Sequence, residues 1–235
     1  MYSMQHIVTL SDIGGDGRLK PGAVAMLMQN CSTFQYESEK KFNDFLNAHN
    51  IGIFIASRQI DFFRMPAYKE RIEIWTGIHG CKGFYGLRNT TIRDAAGDLR
   101  AISYVIGAFV DRASGKPYVI PAEYYEDIVD CAPLPMEYLP RKIAIPSDLT
   151  FSEIRRDRVV PGYMDSNKHL NAGRAFDMTA ACIEFPLRRM RVEYKAQAKP
   201  GVAFIIERAD VSSTHCFMRL RSPENEIFST YEFIG

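Results

Sequence analysis

The chain has 235 residues, 46% hydrophobic and 24% charged, with 29 basic side chains against 28 acidic ones. So even a balance gives no global attraction to nucleic acid or an anionic membrane, and the length suits one large domain or two of roughly 115 residues. The first residues lack the basic and apolar blocks of a signal peptide, apolar runs such as 104–110 are too short to span a bilayer, and the five cysteines (Cys31, Cys81, Cys131, Cys182, Cys216) form no C-x-x-C pair; a cytoplasmic protein without disulfide frame, metal site or cofactor is expected.

In chain order, a short strand over 4–10 is followed by a turn containing Asp12, Gly14, Gly15, Asp16 and Gly17, then by a helix beginning at Pro21. Ala23, Met26, Leu27, Asn30, Cys31 and Phe34 recur at helical spacing, and Phe42, Phe45 and Leu46 mark a second amphipathic segment. Strand-like runs follow over 52–64, 69–78, 83–93 and 99–111, with Gly97 and the glycines between 77 and 83 marking hairpin turns.

Residues 113–150 carry half of the twelve prolines, a density expected to exclude helix and central strand. Tyr118, Val119, Ile120, Tyr124, Tyr125, Leu134 and Leu139 make this linker too apolar to hang free. It is expected to pack along the surface as an extended strap.

After the linker come a strand over 151–159, the polar run 165–171, a helix over 172–183 with Ala175, Phe176, Thr179, Ala180 and Ile183 on one face, and strands over 188–196, 202–211, 214–221 and 226–233. Each half thus reads strand, helix, then a meander, and Ile60-Asp61-Phe62-Phe63 is echoed by Val192-Glu193-Tyr194-Lys195. An antiparallel sheet with one helix is a two-layer α+β unit, and pairing two copies edge to edge into one continuous sheet removes two exposed edges. The expected organisation is a first repeat over 1–112, a proline-rich strap over 113–150 and a second repeat over 151–235.

The densest chemistry is Asp165-Ser166-Asn167-Lys168-His169-Leu170-Asn171. A carboxylate four residues before a histidine can orient the imidazole or share a water with it, and a helix start supplies unpaired N–H groups nearby. This is the outline of a hydrolytic site. The competing reading is an Asx-rich turn that caps the helix. Ser166 and Cys182 read as turn and helix-packing residues rather than nucleophiles.

The tandem arrangement and the pattern Asp165, Asn167, His169, Asn171 resemble the fatty acyl-acyl-carrier-protein thioesterases, whose D-x-N-x-H-x-N motif these residues match position by position. The resemblance covers nearly the whole chain and implies a tandem (double) hotdog fold. Val192 to Lys195 match the family's strand after the helix, and Asp12, Asp16, Gly17, Leu19 and Gln29 look like its opening pattern. At the place equivalent to the motif the first half has Asp16, Arg18 and Lys20, so the resemblance makes the second repeat catalytic and the first an acyl-chain binder. In plant members the strand after the helix ends in a Glu-Cys pair; the matching positions here are Gln197 and Ala198, which removes a cysteine route and a second carboxylate base there.

The resemblance implies water attack on an acyl thioester carried on phosphopantetheine, itself part of the substrate, with release of a free fatty acid. Asp165 and His169 would share general-base duty, Asn167 would orient the water or donate to the oxyanion, and N–H groups at the helix start would polarise the carbonyl. Asn171 is read as helix-start architecture first, and Gln197 as either a supporting neighbour or a surface amide. Met26, Phe63, Met65 and Trp75 are candidates for an acyl pocket, against the alternative of ordinary core. Arg155, Arg156, Arg188 and Arg189 are candidates for docking an acidic carrier protein, against the alternative of a solvated strand face. The implied partners are acyl carrier protein and a fatty acyl chain, with a homodimer left open. The rivals are an acyl-coenzyme A thioesterase of the same fold and a non-catalytic acyl-binding protein.

Overall fold

The computed structural model describes residues 1–165 and 168–235. In chain order the main elements are β1 (Tyr2–Ile7), α1 (Pro21–Ser38), α2 (Lys40–Ala48), β2 (Ile51–Phe62), β3 (Arg71–Lys82), β4 (Tyr85–Asp94), β5 (Leu99–Asp111), α3 (Ala122–Tyr125), β6 (Ser152–Arg158), α4 (Ala172–Ala180), β7 (Arg189–Tyr194), β8 (Ala203–Ser212), β9 (His215–Arg221) and β10 (Ile227–Ile234). The strands form one ten-stranded antiparallel sheet, ordered β1-β3-β4-β5-β2-β7-β10-β9-β8-β6. Read from either edge, the halves repeat the same order and meet where β2 pairs with β7, Arg58 opposite Val192 and Ile60 opposite Met190. This is the tandem hotdog arrangement.

Helices α1 and α4 lie on one face of this sheet. Val24, Ala25, Leu27, Met28 and Cys31 of α1 and Ala175, Phe176 and Met178 of α4 are buried in one core with Ile60, Ile74, Ile92, Met190, Met218, Tyr231 and Phe233 of the strands. A fully buried side chain such as Phe176 or Phe233 contributes about 2–3 kcal/mol. α1 starts at Pro21, whose fixed φ suits the first helical position, and Lys20 before it supplies no side-chain cap. No helix among the described residues is long and apolar enough to cross a membrane.

The linker crosses the opposite face, held by buried polar groups of the sheet. Asn89 Oδ1 accepts Leu134 N–H at 3.1 Å and the Tyr138 hydroxyl at 2.9 Å. Gln59 accepts Leu139 N–H at 3.2 Å and donates to the Glu137 carbonyl at 2.8 Å, while Glu193 accepts Ile143 N–H at 3.2 Å. Proline-rich backbone without ladder partners is thereby satisfied by side chains.

Three expectations need correction. The linker does contain a helix, α3 with a following 3-10 turn Glu126–Ile128, because 122–132 is free of proline and Ile120 and Ile128 can pack against Phe42 and Phe45 of α2. β3 runs through Gly77 and Gly80, with a bulge between Ile78 and Gly80, and the chain turns only at Gly83, which has φ +60°. α4 stops at Ala180 rather than 183, and Cys182 and Ile183 close it with bonds to Thr179 and Ala180.

Candidate active site

The loop ahead of α4 is tied down at both ends. Leu170 N–H donates to the Ala198 carbonyl at 3.0 Å and Asn171 N–H to the Tyr163 carbonyl at 2.8 Å. Between them, Asp165 and His169 clasp each other: Asp165 N–H donates to the His169 carbonyl at 2.9 Å, and Asp165 Oδ1 accepts His169 N–H at 3.2 Å. Lys168 takes φ +60° to close this turn, a left-handed conformation costly for a residue with a Cβ.

His169 is half-buried, and its Nδ1 is shielded from solvent with no hydrogen-bond partner among the described residues. A buried ring nitrogen without a partner is suited to a proton-transfer role. Asn167, expected to orient water, lies outside the described residues. Asn171 caps α4: its Oδ1 accepts Gly173 N–H at 2.8 Å and Arg174 N–H at 3.2 Å. The cap occupies two of the helix-start amides expected to polarise a carbonyl, and leaves Ala172 N–H outside it.

Across from this loop stands α1. A Cβ on Gly173 would collide with Met26 Sδ, and a Cβ on Gly22 with the Asp177 carboxylate, so the two helices cross backbone-close at these glycines. Beneath the crossing lies Arg58 of β2, 5% exposed. Its Nη1 donates to the Ala25 carbonyl at 3.0 Å and its Nη2 to Gln29 Oε1 at 2.5 Å. Burial lowers the pKa of this guanidinium, with Tyr194 acting the other way; burial also pushes the Tyr194 phenol up to about 12, and its hydroxyl donates to the Ala172 carbonyl at 3.2 Å. Arg58, Gln29 and Tyr194 thus link the first half to the start of α4.

The candidate acyl pocket is not brought together. Met26 sits at the helix crossing and Met65 packs against the core, but Phe63 is 62% exposed. Trp75 alternates with Thr76, which meets Ser32 of α1, so it turns to the strap side near Gly77 and Cys131. Under the C-terminal part of α1, at Ser32 and Gln35, the sheet is polar: Thr76 bonds Thr90, and Arg88 reaches Gln35 and Thr76. Gln197 is exposed, because β7 ends at Tyr194 and the pairing that would fix its face has stopped.

The arginines do not form one patch. Arg155 and Arg156 are on edge strand β6, paired with Asp157 and Glu153 at 2.9 and 2.8 Å. Arg188 is exposed, while Arg189 is clamped by Asp61 at 2.6 Å and Glu137 at 2.7 Å on β7, four strand positions away or roughly 19 Å. Among the described residues no group of three or more His, Cys, Asp or Glu side chains is gathered to hold a metal ion.

Residues 1–128 match the sequence profile of the acyl-ACP thioesterase N-terminal domain. No curated protein matches the chain in sequence. Among solved structures, the chain is similar to an acyl-ACP thioesterase from Bacteroides thetaiotaomicron, with 19% identity, a TM-score of 0.88, and 99% of this chain and 96% of that one covered. It is also similar to a 12:0-ACP thioesterase from Umbellularia californica, with 12% identity, a TM-score of 0.82, and 99% and 95% covered. At these identities the structural likeness speaks for the fold, and the profile match for the family.

Proposed function

We propose that this chain, which belongs to the acyl-ACP thioesterase family and is a thioester hydrolase, acts on fatty acyl groups carried by acyl carrier protein and does so from the Asp165–His169 loop. The observation that carries the assignment of the site is the buried Nδ1 of His169, which has no hydrogen-bond partner among the described residues and is held by the Asp165 clasp at the start of α4. Water attacks the thioester carbonyl carbon and passes a proton to the imidazole, the carbonyl electrons move to oxygen, and collapse of that oxyanion expels the phosphopantetheine thiolate. The thiolate takes the proton back from the imidazolium, leaving free thiol and fatty acid. Asp165 supplies the negative charge beside the imidazole and the grip that orients it.

Free-thiol release from acyl-ACP, acyl-coenzyme A and acyl-pantetheine of matched chain length tests the carrier. The reading expects the highest kcat/KM on acyl-ACP. Equal or better use of acyl-coenzyme A overturns the carrier assignment, and no release from any of them overturns the activity at this site.

A further inference from the structure

The cap on α4 takes the N–H groups of Gly173 and Arg174 and leaves Ala172 N–H as the helix-start amide for a reacting carbonyl. A second source lies across the site on α1. Gly22 meets Asp177 and Met26 meets Gly173, so α1 and α4 run antiparallel: four residues forward on one is four residues back on the other. Continuing by one turn brings α1 at 29–30 opposite 169–170. Gln29 follows Gly22 and Met26 at i+7 and i+3, on the stripe that faces α4.

Arg58 decides which end of the Gln29 amide faces the site. Its Nη2 binds Oε1 at 2.5 Å, which leaves the two Nε2 hydrogens directed elsewhere. Arg58 is itself buried, and its Nε has no partner among the described residues. Arg88 differs: its contact, Gln35, passes on to Asp130 Oδ2 at 3.0 Å, so that cation is linked to a carboxylate, whereas the Arg58 link ends on Gln29. A buried cation pulling on the amide oxygen makes the N–H end a stronger donor.

We infer that Gln29 is a catalytic residue contributed by the first repeat, donating from Nε2 to the thioester carbonyl oxygen as it becomes an oxyanion, and that Arg58 is the positioning residue that fixes its amide. The first repeat is then a partner in the chemistry. This rests on the site assigned above.

Gln29→Glu keeps, and charges, the contact with Arg58 while removing the donor; Gln29→Met removes both. The melting temperature of Gln29→Glu should equal or exceed that of the wild type, and kcat on acyl-ACP should fall about 100- to 1000-fold for both variants with KM within about threefold. Arg58→Lys, which keeps the charge but not the fork, should retain part of the activity that Arg58→Met loses. A kcat of Gln29→Glu within about threefold of wild type overturns the inference. His169→Ala assayed alongside separates the two claims: if it is inactive while Gln29→Glu is active, only the donor role fails, and if it is fully active, the site itself is wrong.

Discussion

Asp165 grips His169 by its backbone, with Oδ1 on the His169 N–H at 3.2 Å and its own N–H on the His169 carbonyl at 2.9 Å. The proposed mechanism thus gives the carboxylate two separable duties, shaping the loop and supplying charge. Asp165→Asn preserves an acceptor for the N–H and removes the charge, so it should fold with wild-type stability and lose about 100-fold in kcat. Asp165→Ala removes both and should also lose about 1 kcal/mol in urea unfolding. Equal activity of Asp165→Asn and wild type would assign the residue to loop shape alone.

The helix crossing predicts a coupled pair. Gly173→Ala puts a methyl into Met26 and should cost about 1–3 kcal/mol, along with activity, because it pushes α1 from the loop. Adding Met26→Ala should recover part of that loss. Additive losses in the double variant would mean that the two helices do not meet here.

Asn89 is buried beneath the strap with its Oδ1 on Leu134 N–H and the Tyr138 hydroxyl. Asn89→Leu leaves the Leu134 N–H without its acceptor, while the Tyr138 hydroxyl keeps the Leu134 carbonyl at 2.7 Å, and should cost about 1–3 kcal/mol. Limited proteolysis of this variant should cut within 131–140 sooner than in wild type. Unchanged cleavage would show that packing, not this amide, holds the strap.

Burial pushes the thiols of Cys31, Cys81 and Cys216 up to about 11 and raises those of Cys131 and Cys182. Thiolate accumulates only as pH climbs toward these values. At about pH 7.5 a thiol of pKa about 11 is ionised in roughly one molecule in three thousand. Iodoacetamide near neutral pH should therefore leave hydrolysis intact, while the same reagent in denaturant labels all five cysteines. Rapid inactivation of the folded enzyme would point to a thiol in the chemistry.

Much of the fold was legible because turn residues and alternation punctuate it: β5 was expected over 99–111 and runs Leu99–Asp111, and the duplicated order reappears in the sheet. The motif loop was legible as local text. Gln29 was legible only as part of the family's opening pattern, with no role attached, and Arg58 was not, since a basic residue inside Ser57-Arg58-Gln59 gives no local sign of burial. Parity held the missed signal: Arg58 is in phase with Ile60 and Phe62, both buried in the core, so its side chain had to point inward. The acyl-pocket candidates misled because size and apolarity do not tell which sheet face a residue occupies, as Trp75 and Phe63 show. The arginine clusters misled because neighbours in sequence lie on strands far apart in the sheet, with Arg189 drawn into Asp61 across the β2–β7 junction.

The most direct measurement is the single-turnover rate of acyl-ACP hydrolysis by His169→Ala, followed by rapid quench with the fold checked by melting temperature. The account predicts an unchanged fold, a rate about 100- to 10,000-fold below wild type, and no acyl-enzyme in either protein by intact mass. A folded His169→Ala protein that hydrolyses within about threefold of the wild-type rate, or a covalent acyl-enzyme in the wild type, would contradict it.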